Sequence, residues 1–385
     1  MKEYDIVLVH LLARKHNYYA NIIKALSSQY RIGLLLSDEK GFYASRKGPR
    51  KLKGTDKKFR SLCVQLGAEI IYVDEEIRGK VVIIPVVLFS QLFASEDYMY
   101  KFRKNVTWGK LIVLLSLNGS VHGLDRIKVL GDSKLFVPAK NIFEIKMKHE
   151  GKLKEIEDLD IIEMGLPYKK YPVFNDSDFD IDYLVAYPSH THFKGNSKKE
   201  KYAFVARLYK LLNKIDKTEK VYLKRHNNND DSRFFSSFGC GTVRSLKMAS
   251  IIADICLALS PFFRENLYKI GIKLKNSIIE RKYPSLAEST QYHNFGIELF
   301  LPHIRKGLIT GYSTTQFHSL YNELPVYNCD PQENGKVATL PYNAAYMVKY
   351  CNGKLDFDQS NFSRISEECR DGDIIQLIMK EMNRL

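Results

Sequence analysis

No stretch of about 18 consecutive apolar residues occurs in the chain, so nothing in it reads as a membrane-spanning helix. The opening Met1-Lys2-Glu3-Tyr4-Asp5 leads into a strand pattern rather than an apolar secretory segment, which predicts a cytoplasmic protein. The six cysteines, Cys63, Cys240, Cys256, Cys329, Cys351 and Cys369, form no CxxC pair and have no histidine at zinc-ligand spacing. They read as reduced thiols. Acidic residues are in deficit, 44 Asp and Glu against 59 Lys and Arg, and the net charge of +15 favours a polyanionic partner: anionic lipid, nucleic acid or a phosphorylated substrate. Nucleic acid is disfavoured because neither an RNP-like aromatic strand nor a zinc finger accompanies the charge, and the lysines of 47–58, 146–154 and 194–201 describe a broad basic face. No internal repeat is visible. A DxD-like pair at a strand end is also missing; Asp230-Asp231 follows asparagines and reads as a solvated loop.

What is present is an alternation of buried strands and helices. With 385 residues and 45% hydrophobic content the chain is long enough for two cores. Its mean hydropathy of −0.27 is that of a soluble globular protein. Ile6–Leu12, a helical pattern from Tyr18 to Ser28 and Ile32–Leu36 make a βαβ opening. Helix Lys57–Leu66 with Gly67 as its C-terminal cap, strand Glu69–Val73, apolar Val81–Leu88, strand Leu111–Leu117 and a helix near Asn141–Lys148 continue it. This rhythm predicts parallel sheets with ligands at the carboxyl ends of the strands. A weakly apolar stretch, 146–160, precedes the first half's end, and a second α/β series runs from Tyr183–Tyr187 through helix Lys198–Ile215 and strand Val221–Leu223. Residues 1–167 and 168–372 are the expected domains, with 373–385 a terminal helix packing back on the first.

Residues 296–330 describe a phosphate-binding unit. Gly307–Thr310 reads as a buried strand, Gly311 permits a tight turn, Ser313-Thr314-Thr315 sits where a helix would begin, and Leu324–Tyr327 is a further strand. The first N–H groups of a helix lack intrahelical partners and carry the positive end of its dipole, so an anion fits there; an ordinary capped helix is the alternative. The segment 246–279 is apolar at helical spacing with basic residues interleaved, either two core helices separated by Pro261 or an amphipathic membrane-surface element. His190 and His192 share a strand face, but a third metal ligand at recognisable spacing is lacking.

In this order the elements resemble the two-Rossmann-lobe glycosyltransferases known as GT-B. The second half is most similar to bacterial enzymes with cytidine-nucleotide donors: sialyl- and polysialyltransferases, Kdo transferases, and CDP-glycerol or ribitol phosphotransferases. Ile162–Pro167, IEMGLP, matches the GxP turn that closes the first lobe. Val221–Asn227, VYLKRHN, stands in the place of a strand–His–Pro motif, with Asn227 where the family has proline. Leu308–Leu324, LITGYSTTQFHSLYNEL, is similar to the strand, serine/threonine pair and helix. The resemblance covers residues 160–330, and the first lobe by architecture alone.

The resemblance implies an α/β GT-B fold, two Rossmann-like lobes with parallel sheets facing a central cleft, the first for acceptor and the second for the nucleotide donor. The implied reaction is inverting transfer of an acidic sugar, of sialic acid or Kdo type, from a CMP donor to a cell-surface glycan, without metal or other cofactor. A CDP-polyol phosphotransferase or a UDP- or GDP-sugar enzyme is the alternative; a basic nucleic-acid-binding α/β protein is the rival outside enzymes. Lys224, Arg225 and His226 would face the leaving nucleotide; Gly311, Ser313, Thr314 and Thr315 would hold its phosphate, with Ser189 and His190 lining the same site. Glu298 would take the ribose or base, or be a helix-surface carboxylate. His122, Asp38 and Glu39 compete for the general base, since Asp38-Glu39-Lys40-Gly41 approaches a two-acid-glycine signature and His122-Gly123 a His-Gly motif. Arg14, His16, Asn118 and Gly119 fall on the acceptor side, and His303 and His318 read as structural. The expected partners are a nucleotide-sugar donor, a glycan or glycolipid acceptor and the anionic inner membrane surface. Replacing Ser313 and Thr314 together by alanine is expected to weaken donor binding in calorimetric titration while leaving the fold intact.

Overall fold

A computed structural model describes residues 1–11, 18–37, 42–43, 50–51, 54–85, 96–114, 133–138, 140, 143–144, 147, 151–187, 197–224, 246–263, 265–286, 295–311, 315, 318–319, 322, 324–329, 348–351, 354–357 and 372–385. They fall into two compact α/β units, one holding the chain up to Asn175 together with its C-terminal residues, the other starting at Asp176.

The first unit is built on a seven-stranded parallel sheet. Its strands are β1 (Lys2–Val9), β2 (Ile32–Leu36), β5 (Glu69–Tyr72), β6 (Ile77–Pro85), β7 (Val106–Leu114), β8 (Ser133–Val137) and β9 (Asp160–Glu163), in spatial order β5-β2-β1-β6-β7-β8-β9. A small antiparallel pair, β3 (Phe42–Tyr43) and β4 (Arg50–Lys51), lies outside it. The central strands are buried on both faces, which is why they read as continuous apolar runs: Ile6 to Val9 and Val81 to Ile84 are all fully buried. Helices α1 (Tyr18–Leu26), α2 (Gly54–Gln65) and α3 (Glu96–Asn105) accompany the sheet. Tyr19 of α1 donates its hydroxyl to the Val9 carbonyl at 3.1 Å, tying the helix to the end of β1. Gly67 ends α2 with φ +106° against Ser27, a conformation and a fit that exclude a side chain.

Two elements had no clear sequence signal. The α3 sequence, EDYMYKFRKN, is mostly polar, and its Phe102 anchors it by stacking on Trp108 with ring centroids 5.6 Å apart. Strand β9 begins at the end of the weakly apolar stretch 146–160 and runs into the IEMGLP segment read as a turn; it pairs with β8 at the sheet edge, where its residues are half-buried or exposed and no apolar run is needed. The first unit also extends past the IEMGLP turn to Asn175. Asn21 donates to the Tyr171 carbonyl at 2.6 Å and Lys24 to the Val173 carbonyl at 2.9 Å, holding that segment against α1.

The terminal helix Ile374–Met382 buries Ile374, Ile375, Ile378 and Met382 on the first unit. Asp373 caps it, accepting from the Ile375 and Gln376 N–H groups at 3.0 and 3.3 Å. Burial alone would raise the Asp373 carboxyl, but Lys170, the Gln376 N–H and the Tyr171 hydroxyl outweigh burial and hold it below the usual carboxylate range. Glu381, itself buried, pairs with Lys134 at 2.8 Å. Beneath the cap, Gly165 of the IEMGLP turn adopts φ +59° and crosses Gly372 so closely that a Cβ on Gly165 would lie 2.2 Å from the Gly372 carbonyl oxygen.

The second unit carries a four-stranded parallel sheet, β10 (Ile181–Ala186), β11 (Val221–Lys224), β12 (Ile304–Thr310) and β13 (Val326–Asn328), in the order β11-β10-β12-β13. An antiparallel pair, β14 (Val348–Cys351) and β15 (Lys354–Phe357), belongs to the same unit. Helix Ser197–Leu212 buries Phe204, Val205, Leu208, Leu211 and Leu212 in the core beside Val185, Leu223 and Ile309. Helices Leu246–Phe263 and Glu265–Lys282 pack against each other. Pro261 does not separate them, as the sequence suggests: it lies inside the last turn of the first, and that helix runs to Phe263.

The Gly165–Gly372 crossing generates a prediction. Gly165→Ala is expected to cost about 2 kcal/mol or more in urea denaturation, from the left-handed backbone plus the overlap. Gly151→Ala, where φ is +69° but nothing lies within 4 Å of the added Cβ, should cost clearly less.

Candidate functional site

The second unit's sheet brings four strand ends into one row. Ala186 is in register with Lys224 on one side and with Thr310 on the other, and Thr310 with Asn328 beyond. The chain moves from β10 outward to β11 and then returns past β10 to β12, so the connections diverge between β10 and β12. In open parallel sheets that divergence leaves a crevice beyond the carboxyl ends, where ligands bind. Thr310 spans it, donating its hydroxyl to the Ala186 carbonyl at 3.0 Å.

Lys224 ends β11 with its side chain drawn inward. It is 4% exposed, and its Nζ lies 5.8 Å from the centroid of the Phe300 ring. An ammonium over an aromatic face is attracted by the ring quadrupole, most strongly where water is excluded. Phe300 is fixed in turn by the edge of Phe179 at 5.5 Å. It lies between two short 3-10 turns, Ile297–Leu299 and Leu301–His303, that lead into β12. His303 anchors the second turn: its buried ring sits 2.7 Å from the Asp176 carboxylate and stacks obliquely on Phe179 at 5.2 Å.

Glu298 belongs to the first of these turns and is not the helix-surface carboxylate that its sequence context allows. Its side chain is 20% exposed, with Oε1 3.8 Å from Nε2 of His318. His318 is buried, and burial lowers its pKa below the usual 6.5, with Glu298 acting in the opposite sense. Past β12 the chain bends at Gly311 and is helical at Thr315, His318 and Ser319. Gly311 makes this bend outside the left-handed region, which among the described glycines is used by Gly67, Gly151 and Gly165. Ser319 donates its hydroxyl to the Thr315 carbonyl at 3.1 Å, and Asn322 donates its amide to the His318 carbonyl at 2.6 Å, closing the helical turn.

Of the residues singled out from sequence, Lys224, Glu298, Gly311 and Thr315 are described, and all four belong to this carboxyl end or to the turns feeding it. Arg14, His16, Asp38, Glu39, Asn118, Gly119, His122, Ser189, His190, Arg225, His226, Ser313 and Thr314 lie outside the described residues. Sequence reasoning missed Phe300, Thr310 and the facing of His318 toward Glu298. A histidine three positions after Thr315 on one helical face was the available signal for His318, and its partner 20 residues upstream was not. Among the described residues no cluster of three His, Cys, Asp or Glu side chains gathers as for a metal ion.

The arrangement offers a cation at a strand end and a partly buried carboxylate able to accept from hydroxyl or amino groups. No family model matches the chain. No curated protein sequence matches it either. Solved structures resemble it, two of them as follows. The first is MnaA of S. aureus with UDP, at 12% identity and TM-score 0.41, over 85% of this chain and 78% of that one. The second is the wall teichoic acid polymerase TagF soaked with CDPG, at 12% identity and TM-score 0.43, over 99% of this chain and 89% of that one. Likenesses this weak carry no argument about ligand or chemistry.

The burial of His318 fixes the sign of a pH effect. The folded chain holds it neutral where the unfolded chain takes up a proton, so stability falls as pH drops below 6.5, the unperturbed value. The urea midpoint is expected to fall between pH 7.5 and 5.5, and to fall less in His318→Phe, which keeps a ring and cannot titrate.

Proposed function

We propose that the chain is a nucleotide-dependent transferase of GT-B type that holds its donor at the carboxyl end of the second unit's sheet. The observation that carries this reading is the convergence of Lys224, the Gly311 bend with its helical turn, and Glu298 at the point where the strand connections diverge. Lys224, with Arg225 and His226 directly after it, would supply positive charge to the departing phosphate. The N–H groups beyond Gly311, with Ser313, Thr314 and Thr315, would hold the phosphate oxygens. Glu298 would accept from the ribose hydroxyls or the base, and His318 behind it limits where its carboxylate can swing.

The order of IEMGLP, VYLKRHN and LITGYSTTQFHSLYNEL favours a cytidine nucleotide, and the reading is of inverting transfer of an acidic sugar from a CMP donor to a glycan acceptor. Deprotonation of the acceptor hydroxyl falls to His122, Asp38 or Glu39. The positive charge at the phosphate comes from side chains and the helix start, so the proposed reaction uses no metal ion.

A thermal-shift panel of CMP, CDP, UDP, UMP and GDP tests the proposal, because a ligand that binds only the folded state raises Tm. CMP or CDP is expected to stabilise the protein selectively. A CMP preference supports the acidic-sugar donor and a CDP preference the polyol-phosphate donor; no response to any nucleotide contradicts the proposal. Lys224→Met keeps the stem over Phe300 and removes the charge, and should weaken nucleotide binding about tenfold, the scale of one hydrogen bond to a charged group.

A further inference from the structure

The helix Leu246–Phe263 has an outward face that a soluble helix would make polar. Its inward stripe is small and closely packed: Ala249 and Ala253 are buried, and a Cβ on Gly271 of the neighbouring helix Glu265–Lys282 would lie 2.7 Å from Leu257. On the opposite side Met248, Ile251, Ile252, Ile255 and Leu259 are 56%, 47%, 37%, 51% and 41% exposed. Positions 248, 251, 252, 255 and 259 recur at helical spacing, so they form one continuous apolar strip about 17 Å long at 1.5 Å per residue. The neighbouring helix adds Ile270, 43% exposed.

We propose that this strip docks on an anionic lipid bilayer, the helix lying in the plane of the interface. Charge selects this occupant over a second copy of the chain. The helical pair 246–282 carries seven Lys and Arg against three Asp and Glu, in a chain of net charge +15. Lys247, Arg281 and Lys282 are exposed, and Asp254, the acid of the apolar helix, is paired with Lys275 at 3.2 Å. Two copies meeting through this face would set like charge against like charge, whereas an anionic surface supplies the complement. An amphipathic helix with basic flanks binds such a surface by burying its apolar face to the headgroup boundary. Among the described residues no helix is long and apolar enough to cross a membrane, so the geometry is that of a helix resting on the surface.

The test is co-sedimentation of the full chain with vesicles of phosphatidylcholine alone or mixed with phosphatidylglycerol, without nucleotide, so that it is independent of the transferase reading. Binding is expected on phosphatidylglycerol vesicles, weakening as salt rises and much reduced on phosphatidylcholine. Ile251→Asp with Ile255→Asp should lower partitioning about tenfold or more, since two apolar side chains are lost from the face that enters the lipid boundary. Both positions are exposed, so the urea midpoint should hold. Leu153→Asp, at a 39% exposed position on the first unit, should leave binding unchanged. Absence of binding to anionic vesicles, equal binding to neutral ones, or undiminished binding by the folded double variant overturns the proposal. So does light scattering that shows a dimer which the double variant dissolves, in a chain that ignores vesicles.

Discussion

Parallel pairing of β10 with β12 is the constraint on which the candidate site depends. Leu184 and Val185 of β10 and Leu308 and Ile309 of β12 are fully buried, and their register places Ala186 opposite Thr310. Side chains alternate faces along a strand, so a slip of one residue between β10 and β12 would take Thr310 away from the Ala186 carbonyl and exchange the faces on which the packed side chains fit. The close packing of that set on both faces holds the register, and the register holds the row of strand ends. Thr310 fastens the row through the Ala186 carbonyl.

The chemistry-bearing groups are then positioned from the row outward. The two 3-10 turns before β12 can place Glu298 and Phe300 only because His303 is fixed at their far end by Asp176 and Phe179. Lys224 is set by its strand on one side and the Phe300 ring on the other. Such a site is made of short turns that are rigid by packing rather than by regular secondary structure. Lys224 is buried and Glu298 partly so, and away from bulk water a carboxylate or ammonium interacts more strongly than it does in solvent.

The sequence was most informative where burial is two-sided. β2 and the second halves of β1, β10 and β12 are continuous apolar runs and could be recognised directly. β6 and β7 begin earlier than their apolar runs because their first residues alternate between buried and exposed, as in IRGKVVIIP and VTWGKLIVL. β9 and the Glu96–Asn105 helix were hidden by an edge position and by a polar sequence with one anchoring aromatic. Pro261 misled because a proline near a helix's C-terminal end removes one hydrogen bond without ending the helix. Lys224 was legible as a strand-end residue, Gly311 as a bend and Thr315 as helical. The approach of His318 to Glu298 was not, since it arises from two turns and a strand folding between them.

The transferase reading rests on one location for the donor, and hydrogen exchange with and without CMP addresses that location directly. The account predicts protection concentrated in the peptides that follow β11 and β12, spanning residues 222–230 and 309–322, with smaller changes around Glu298. Protection confined to the first unit, or none at saturating CMP, would contradict it.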